Sequence, residues 1–201
     1  MTDFTAFDRR SFVAGSLALG TLAPHIAQAT TVPHPASNGW GQPLAVVDPI
    51  RVVLVMNLVV TCSAPEAMGP EPRSKDGLRG EFWPIVGGRF EGPGIRGVVI
   101  PGGADFPVVR PDGVEVIDAF YRLRTDDGVT IIIHNVGLTY PSADAEWPRF
   151  RLTPSFTAPV GKYDWLNRAI FLSTLVETPP EMALASGPGQ NDRLIQVFRV
   201  D

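Results

Sequence analysis

Val114-Glu115-Val116-Ile117-Asp118-Ala119-Phe120-Tyr121-Arg122-Leu123-Arg124, then Thr125-Asp126-Asp127-Gly128, then Val129-Thr130-Ile131-Ile132-Ile133-His134-Asn135-Val136 is the stretch on which the fold turns. Two runs rich in β-branched and aromatic residues flank a short Asp/Gly cluster, and that order predicts two antiparallel strands joined by a hairpin. Period-two alternation puts Ile117, Ala119, Tyr121 and Leu123 on one face and Val116, Asp118, Phe120 and Arg122 on the other. It likewise groups His134 with Ile132 and Val136, and Asn135 with Ile131 and Ile133.

Working outward, the same grammar repeats. Val52 to Thr61 is a long β-branched run, and a short one covers Ile85 to Phe90. Ile95 to Ile100 stops at Pro101-Gly102-Gly103, and Asp105 to Arg110 stops at Pro111-Asp112-Gly113. Phe150 to Phe156, Ala169 to Glu177 and Leu194 to Val200 complete the set, while Tyr163 to Ala169 allows one or two helical turns. Consecutive tight turns without a long crossover predict an all-β chain, a single antiparallel up-and-down β-barrel of about eight strands, over a sandwich. Val52-Val53-Leu54-Val55-Met56 and Ile131-Ile132-Ile133 are apolar on both faces, so the barrel wall needs an outer cover there. With no helix to supply it, a neighbouring copy is expected, hence a homo-oligomer.

The 201 residues carry a formal charge of −4 and a pI of about 5.4, with no basic stripe. That argues against nucleic acid and against an anionic membrane surface. A single cysteine, Cys62, excludes an internal disulfide framework and multi-cysteine metal sites, and it reads as a small buried hydrophobe. No H-x-H or H-E-x-x-H spacing supports a metal, and no G-x-S-x-G supports a nucleophile elbow. Gly92-Pro93-Gly94-Ile95-Arg96-Gly97 fits G-x-G-x-x-G, but a β-branched run follows where a dinucleotide site needs a helix. It reads as a turn, and no cofactor is expected.

At the N-terminus, Arg9-Arg10-Ser11-Phe12 precedes an apolar stretch to Ala23, then Pro24 and Ala27-Gln28-Ala29. A basic start, a short apolar segment and an A-x-A site make a secretory signal, here of twin-arginine type. The stretch of about 12 residues is too short to span a bilayer. The expected division is a signal at 1–29, an irregular leader at 30–48 and a barrel domain at 49–201. The expected location is the periplasm, with cleavage near Ala29 and no membrane attachment afterwards.

Polar residues inside apolar strands are the candidates for chemistry. An aspartate among apolar side chains has its ionised form penalised, as a general acid requires, so Asp118 stands out. Paired with Arg122 or Arg124, it would be structural instead. Asp105 follows Gly102-Gly103-Ala104, where backbone can approach a neighbour closely. His134 and Asn135 sit mid-strand, and Lys162-Tyr163-Asp164-Trp165-Leu166-Asn167 is dense in amphipathic side chains suited either to a cavity wall or to core.

Gly87-Gly88-Arg89-Phe90-Glu91-Gly92-Pro93, Gly97-Val98-Val99-Ile100-Pro101-Gly102-Gly103-Ala104-Asp105-Phe106, Arg110-Pro111-Asp112-Gly113, Asp118-Ala119-Phe120-Tyr121 and Tyr163-Asp164-Trp165-Leu166-Asn167 together resemble the DUF3237 (UPF0311) family. The resemblance runs over roughly residues 45–200. It implies a barrel similar to calycin and allene-oxide-cyclase-like barrels, which by analogy of fold suggests cofactor-free chemistry on hydrophobic or phenolic compounds. It points to Asp105, Asp118, Tyr121, Asn135, Trp165 and Asn167. The chain departs from the family pattern at Phe106, where Trp is common, and at Phe120, where Arg is common.

Two functions follow. One is a cofactor-free lyase, isomerase or cyclase acting on a small hydrophobic or aromatic molecule. In it Asp118 or Asp105 moves a proton, Tyr121 and Asn135 bind an oxyanion, and Trp165, Asn167, Phe106, Phe120 and His134 shape the binding site. Asp118 and Tyr121 face opposite ways, so both reach one cavity only through a bulge or a subunit interface. The alternative is a periplasmic carrier barrel without catalysis, and a third reading is a structural or assembly module, favoured if side chains pack the barrel interior solidly.

Overall fold

The computed structural model describes residues 48–68, 74–140 and 148–201. The expected export signal (1–29) and all but the last residue of the leader (30–48) lie outside them. Among the described residues the strands are β1 (Val52–Cys62), β2 (Glu66–Ala67), β3 (Arg79–Gly92), β4 (Ile95–Asp105), β5 (Val108–Val109), β6 (Glu115–Thr125), β7 (Thr130–Tyr140), β8 (Arg149–Thr157), β9 (Phe171–Glu177) and β10 (Asn191–Val200). Hydrogen bonding runs β1-β10-β9-β8-β7-β6-β4-β3 and returns from β3 to β1, which closes an eight-stranded antiparallel barrel. The short β2 and β5 flank it, β5 bridging β3 and β6.

The turns carry out what their residues specify. Gly128 takes a φ of 88° after Asp126-Asp127, and the Thr125 and Val129 backbones bond across the hairpin (2.9 Å). Gly94 takes 73° between β3 and β4, so the G-x-G-x-x-G stretch is a hairpin. Asp105 to Arg110, expected as a full strand, contributes only the tail of β4 and the two residues of β5. Pro107 interrupts it, since proline cannot donate to a ladder.

Alternation fixes the inside. Ile117, Ala119, Tyr121, Leu123 and Thr125 of β6 are buried, while Asp118, Phe120, Arg122 and Arg124 are exposed. Phe90, Leu58, Leu123, Ile131, Ile133 and Val197 fill the interior toward the β6–β7 turn. Each such side chain contributes roughly 1.5–3 kcal/mol by leaving water. A 3-10 turn, Asp164–Arg168, closes this end: Leu166 and Tyr163 are buried in the core, and Trp165 packs on Phe171 (ring centroids 5.9 Å). A smaller apolar cluster of Ile117, Phe150 and Leu152 lies toward the opposite end.

The outer face of β1 is covered unevenly. Thr61 donates to the Asp192 carboxylate (2.6 Å), which also accepts the Leu184 and Ala185 N–H groups (2.6 and 2.7 Å). The chain's own 178–190 segment therefore lies against this part of the wall. Further along, Leu54, Phe198 and Leu172 stand opposite one another across β1, β10 and β9, with Leu54 and Leu172 exposed.

Candidate functional site

Five neighbouring strands, β3, β4, β6, β7 and β8, bring a row of side chains to the inner face. Register pairs Trp83 with Asp105, Asp105 with Ala119, Ala119 with Asn135, and Asn135 with Pro154. Residues directly opposite in an antiparallel ladder share a face, so this row crosses from β3 to β8 inside the barrel. Tyr121, one pleat further along β6, joins it diagonally.

Tyr121 is fully buried and its hydroxyl has no hydrogen-bond partner. Burial pushes its phenol far above the ordinary range, and the neighbouring Cys62 and Asp105 add to the shift, so it stays protonated and able to donate. Asn135 is 1% exposed. Its Oδ1 accepts the Ser173 hydroxyl (3.2 Å), whereas its Nδ2 is buried without a partner. Leaving such groups unpaired costs free energy, and proteins keep few of them. Two orphaned donors on one interior face, beside a carboxylate, are the chemical signature of this end of the barrel.

Asp105 closes β4 and is half-buried. Its Oδ1 accepts the Asp118 N–H (3.1 Å), which ties the carboxylate to the edge of the row. The expected close approach at Gly102-Gly103 is present: a Cβ on Gly103 would stand 2.4 Å from Tyr121 Cβ. A β-bulge between Ile100 and Ala104 accompanies it. Trp83 is buried in the core, donates to Glu81 (3.2 Å) and carries the Arg193 guanidinium over its ring at 5.8 Å.

The remaining candidates lie elsewhere. Asp118 is not surrounded by apolar side chains. It projects outward, 55% exposed, and pairs with His134 Nε2 at 2.6 Å rather than with an arginine. No bulge turns it inward, since β6 and β7 pair without a register shift from Glu115 to Arg124. Phe120 is half exposed beside His134 on the same outer wall, its ring edge-on to the imidazole. Phe106 is 49% exposed and packs on Phe82. Asn167 fastens the connection after β8, donating to Ala158 O and accepting from Ala158 N (both 2.8 Å). Trp165 belongs to the closed end. The structure therefore brings together Asp105, Tyr121 and Asn135 and separates the other six.

Sequence reading missed Trp83, Ala119 and Ser173. Ser173 had a signal, a polar residue in Phe171-Leu172-Ser173-Thr174-Leu175, but its alternation alone does not say which strand it faces. A surface depression of about 410 Å³ at the turn end is lined by Arg96, Asp126, Asp127, Lys162 and Tyr163. Its charges are paired off, Arg96 with Asp126 (2.7 Å) and Lys162 with Asp127 (3.2 Å). Among the described residues no group of three or more His, Cys, Asp or Glu is placed to hold a metal.

Residues 50–181 match the family described as "Protein of unknown function (DUF3237)". A UPF0311 protein of Clostridium acetobutylicum is 31% identical over 144 residues, 65% of this chain and 88% of that protein. One from Rhodopseudomonas palustris is 33% identical over 103 residues, 45% of this chain and 67% of its own length. Among solved structures, a beta-barrel-like protein of Acinetobacter baumannii has a TM-score of 0.65 at 24% identity, covering 77% of this chain and 98% of that one. A structure described as an enzyme from Penicillium herquei has a TM-score of 0.56 at 20% identity, covering 79% and 100%.

Proposed function

Because the chain belongs to the DUF3237 family, whose description assigns no activity, we propose its function from the interior geometry. It is a cofactor-free acid–base enzyme of the lyase, isomerase or cyclase type, acting on a small hydrophobic or aromatic compound inside the barrel. The observation that carries this is the pair of buried, unpartnered donors, Tyr121 Oη and Asn135 Nδ2, on the inner face that Asp105 shares. Preorganised donors in a water-poor site stabilise charge developing on an oxygen, the largest single contribution in many enzymes. Asp105 is the group placed to take a proton, and Trp83 supplies an apolar wall. Asp118, in the solvent-facing pair with His134, has no part in this step. That a fold neighbour is called an enzyme agrees with catalysis in such a barrel.

A carrier reading has its own support: Asp105 accepts the Asp118 N–H, a structural task that needs no proton transfer. Asp105→Asn separates the two. The enzyme loses about 10²–10⁴ in turnover with ligand binding kept, whereas the carrier binds as before and has no turnover to lose. The search for turnover starts from whatever small molecule accompanies the protein purified from its own cells, identified by native mass spectrometry. Absence of any turnover of that compound by the unaltered protein sinks the enzyme reading.

The export and assembly readings belong to the same proposal. Arg9-Arg10 with Ala27-Gln28-Ala29 supports passage by the twin-arginine route to the periplasm, tested by whether the mature protein begins at Thr30. The exposed Leu54 and Leu172, in one row with Phe198, support a homo-oligomer.

A further inference from the structure

We infer that the outer wall formed by β3, β4 and β6 is a docking surface for an acidic segment of another protein. The segment is bound in extended form, with Arg89 on one side and Arg122 and Arg124 on the other. This wall is the opposite face of the sheet from Tyr121 and Asn135, and its docking role does not depend on the interior chemistry.

The sequence has no basic stripe, but the sheet assembles one. Register pairs Arg89 with Val98, and Val98 with Arg124, so two arginines 35 residues apart flank one β4 side chain. Arg122 stands opposite Ile100, one pleat further along. All three arginines are exposed, and Val98 between them is 43% exposed. With strands about 4.8 Å apart and alternate residues about 6.8 Å apart, the three Cα positions fall within about 12 Å of one another.

None of the three meets a carboxylate. Arg122 donates to the Pro101 carbonyl (3.2 Å), and among the described residues no ion pair engages Arg89, Arg122 or Arg124. The acids at either end are taken, Asp126 by Arg96 (2.7 Å) and Asp118 by His134 (2.6 Å). Glu91 faces Arg96 at the margin. Counting that margin, Arg89, Arg96, Arg122 and Arg124 stand against Asp126 and Glu91, in a chain whose net charge is −4. By contrast, Arg110, Arg168 and Arg199 are each held by an aspartate of their own segment.

Spacing and chemistry select the occupant. Guanidinium groups take carboxylates through paired hydrogen bonds. Alternate side chains of an extended peptide repeat at about 6.8 Å, the spacing of Arg122 and Arg124. A segment lying along β4 therefore offers one carboxylate to each of them and a third toward Arg89, while its apolar atoms rest on Val98 and Ile100. A nucleic-acid strand also carries regularly spaced anions, but its bases stack on aromatic rings, and the side chains between these arginines are aliphatic. Exposed ion pairs are individually weak, so the docking is transient and sensitive to salt.

The test uses a short fluorescein-labelled peptide of alternating Glu and Val, titrated with the full-length protein and followed by fluorescence anisotropy. Binding is expected at about 0.1 M salt, and is lost at about 1 M salt and when Gln replaces Glu in the peptide. Arg89→Gln, Arg122→Gln and Arg124→Gln each weaken it about two- to fivefold, and the three together at least about tenfold. Arg110→Gln, Arg168→Gln and Arg199→Gln combined change the net charge equally and leave affinity within about twofold. Circular dichroism checks that both triple variants fold, and the single variants carry the same reading if one does not.

No binding at millimolar peptide, or an equal loss in both triple variants, overturns the docking surface. Tighter binding of an oligothymidylate of equal charge, or of vesicles containing anionic lipid, overturns the acidic-peptide assignment.

Discussion

Replacing Tyr121 by phenylalanine removes one oxygen and nothing else from the barrel interior, and the sign of its effect tests the geometry. The hydroxyl is fully buried and unpartnered. Burying a hydroxyl without a hydrogen bond costs about 1–3 kcal/mol in proteins, so its removal from the ligand-free protein is worth roughly 1–2 kcal/mol of added stability. For a domain of this size that raises Tm by roughly 3–6 °C. Tyr163→Phe makes the same chemical change at the closed end, where the hydroxyl donates to both Asp127 oxygens (2.9 and 3.0 Å). Losing that bond costs about 1 kcal/mol, the Asp127 side being open to solvent. Urea unfolding with unchanged slope m reads both variants as shifts of the midpoint in opposite directions. A Tyr121→Phe protein destabilised as much as Tyr163→Phe would refute the reasoning, because the phenol would then be satisfied within the fold and have no call for a ligand.

Other consequences are sharper in direction than in size. Asp127 is held at a pKa of about 2, first by the Thr125 hydroxyl and then by Tyr163 and Lys162. A carboxylate whose folded pKa is depressed stabilises the fold above its unfolded pKa of about 3.9 and loses that contribution as pH falls through the folded value. Asp127→Asn therefore flattens the acid-unfolding curve between about pH 4 and 2, read by circular dichroism. Gly92→Ala places a Cβ 2.0 Å from Val55 O and prevents the β3 backbone from closing against β1, so little soluble barrel is recovered. Asp118→Asn breaks only an exposed pair with His134 and shifts stability by less than about 1 kcal/mol, with turnover within about twofold of the unaltered protein. Leu172→Asp sets a charge in the exposed apolar row and converts the expected oligomer to monomer in sedimentation experiments.

The barrel was legible because its strands are punctuated by residues with one conformational use each: Gly94, Gly113 and Gly128 all take positive φ at turns. Alternation also put Tyr121 and Asp118 of β6 on opposite faces, as the structure has them, although Asp118 was read as the buried acid. What it could not supply was which face is which, since Val116, Asp118, Phe120 and Arg122 mix apolar with charged residues as an interior acid site also would. The partner chosen by Asp118 was equally hidden. Arg122 shares its strand face, yet His134 comes from β7, and only the register, which pairs Phe120 with His134, puts it within reach. Ala119 carried no local signal at all. Its meaning comes from standing between Asp105 and Asn135, which are 14 and 16 residues away in sequence. Ser173 depends on a still longer connection.

The central claim is that Tyr121 and Asn135 are left unpaired by the fold because a guest oxygen completes them. A crystal structure of the protein purified directly from its own cells, at a resolution that places ordered waters and small molecules, addresses this most directly. The account predicts a ligand oxygen within about 2.6–3.2 Å of both Tyr121 Oη and Asn135 Nδ2. Either donor bonded to a protein atom instead would contradict it.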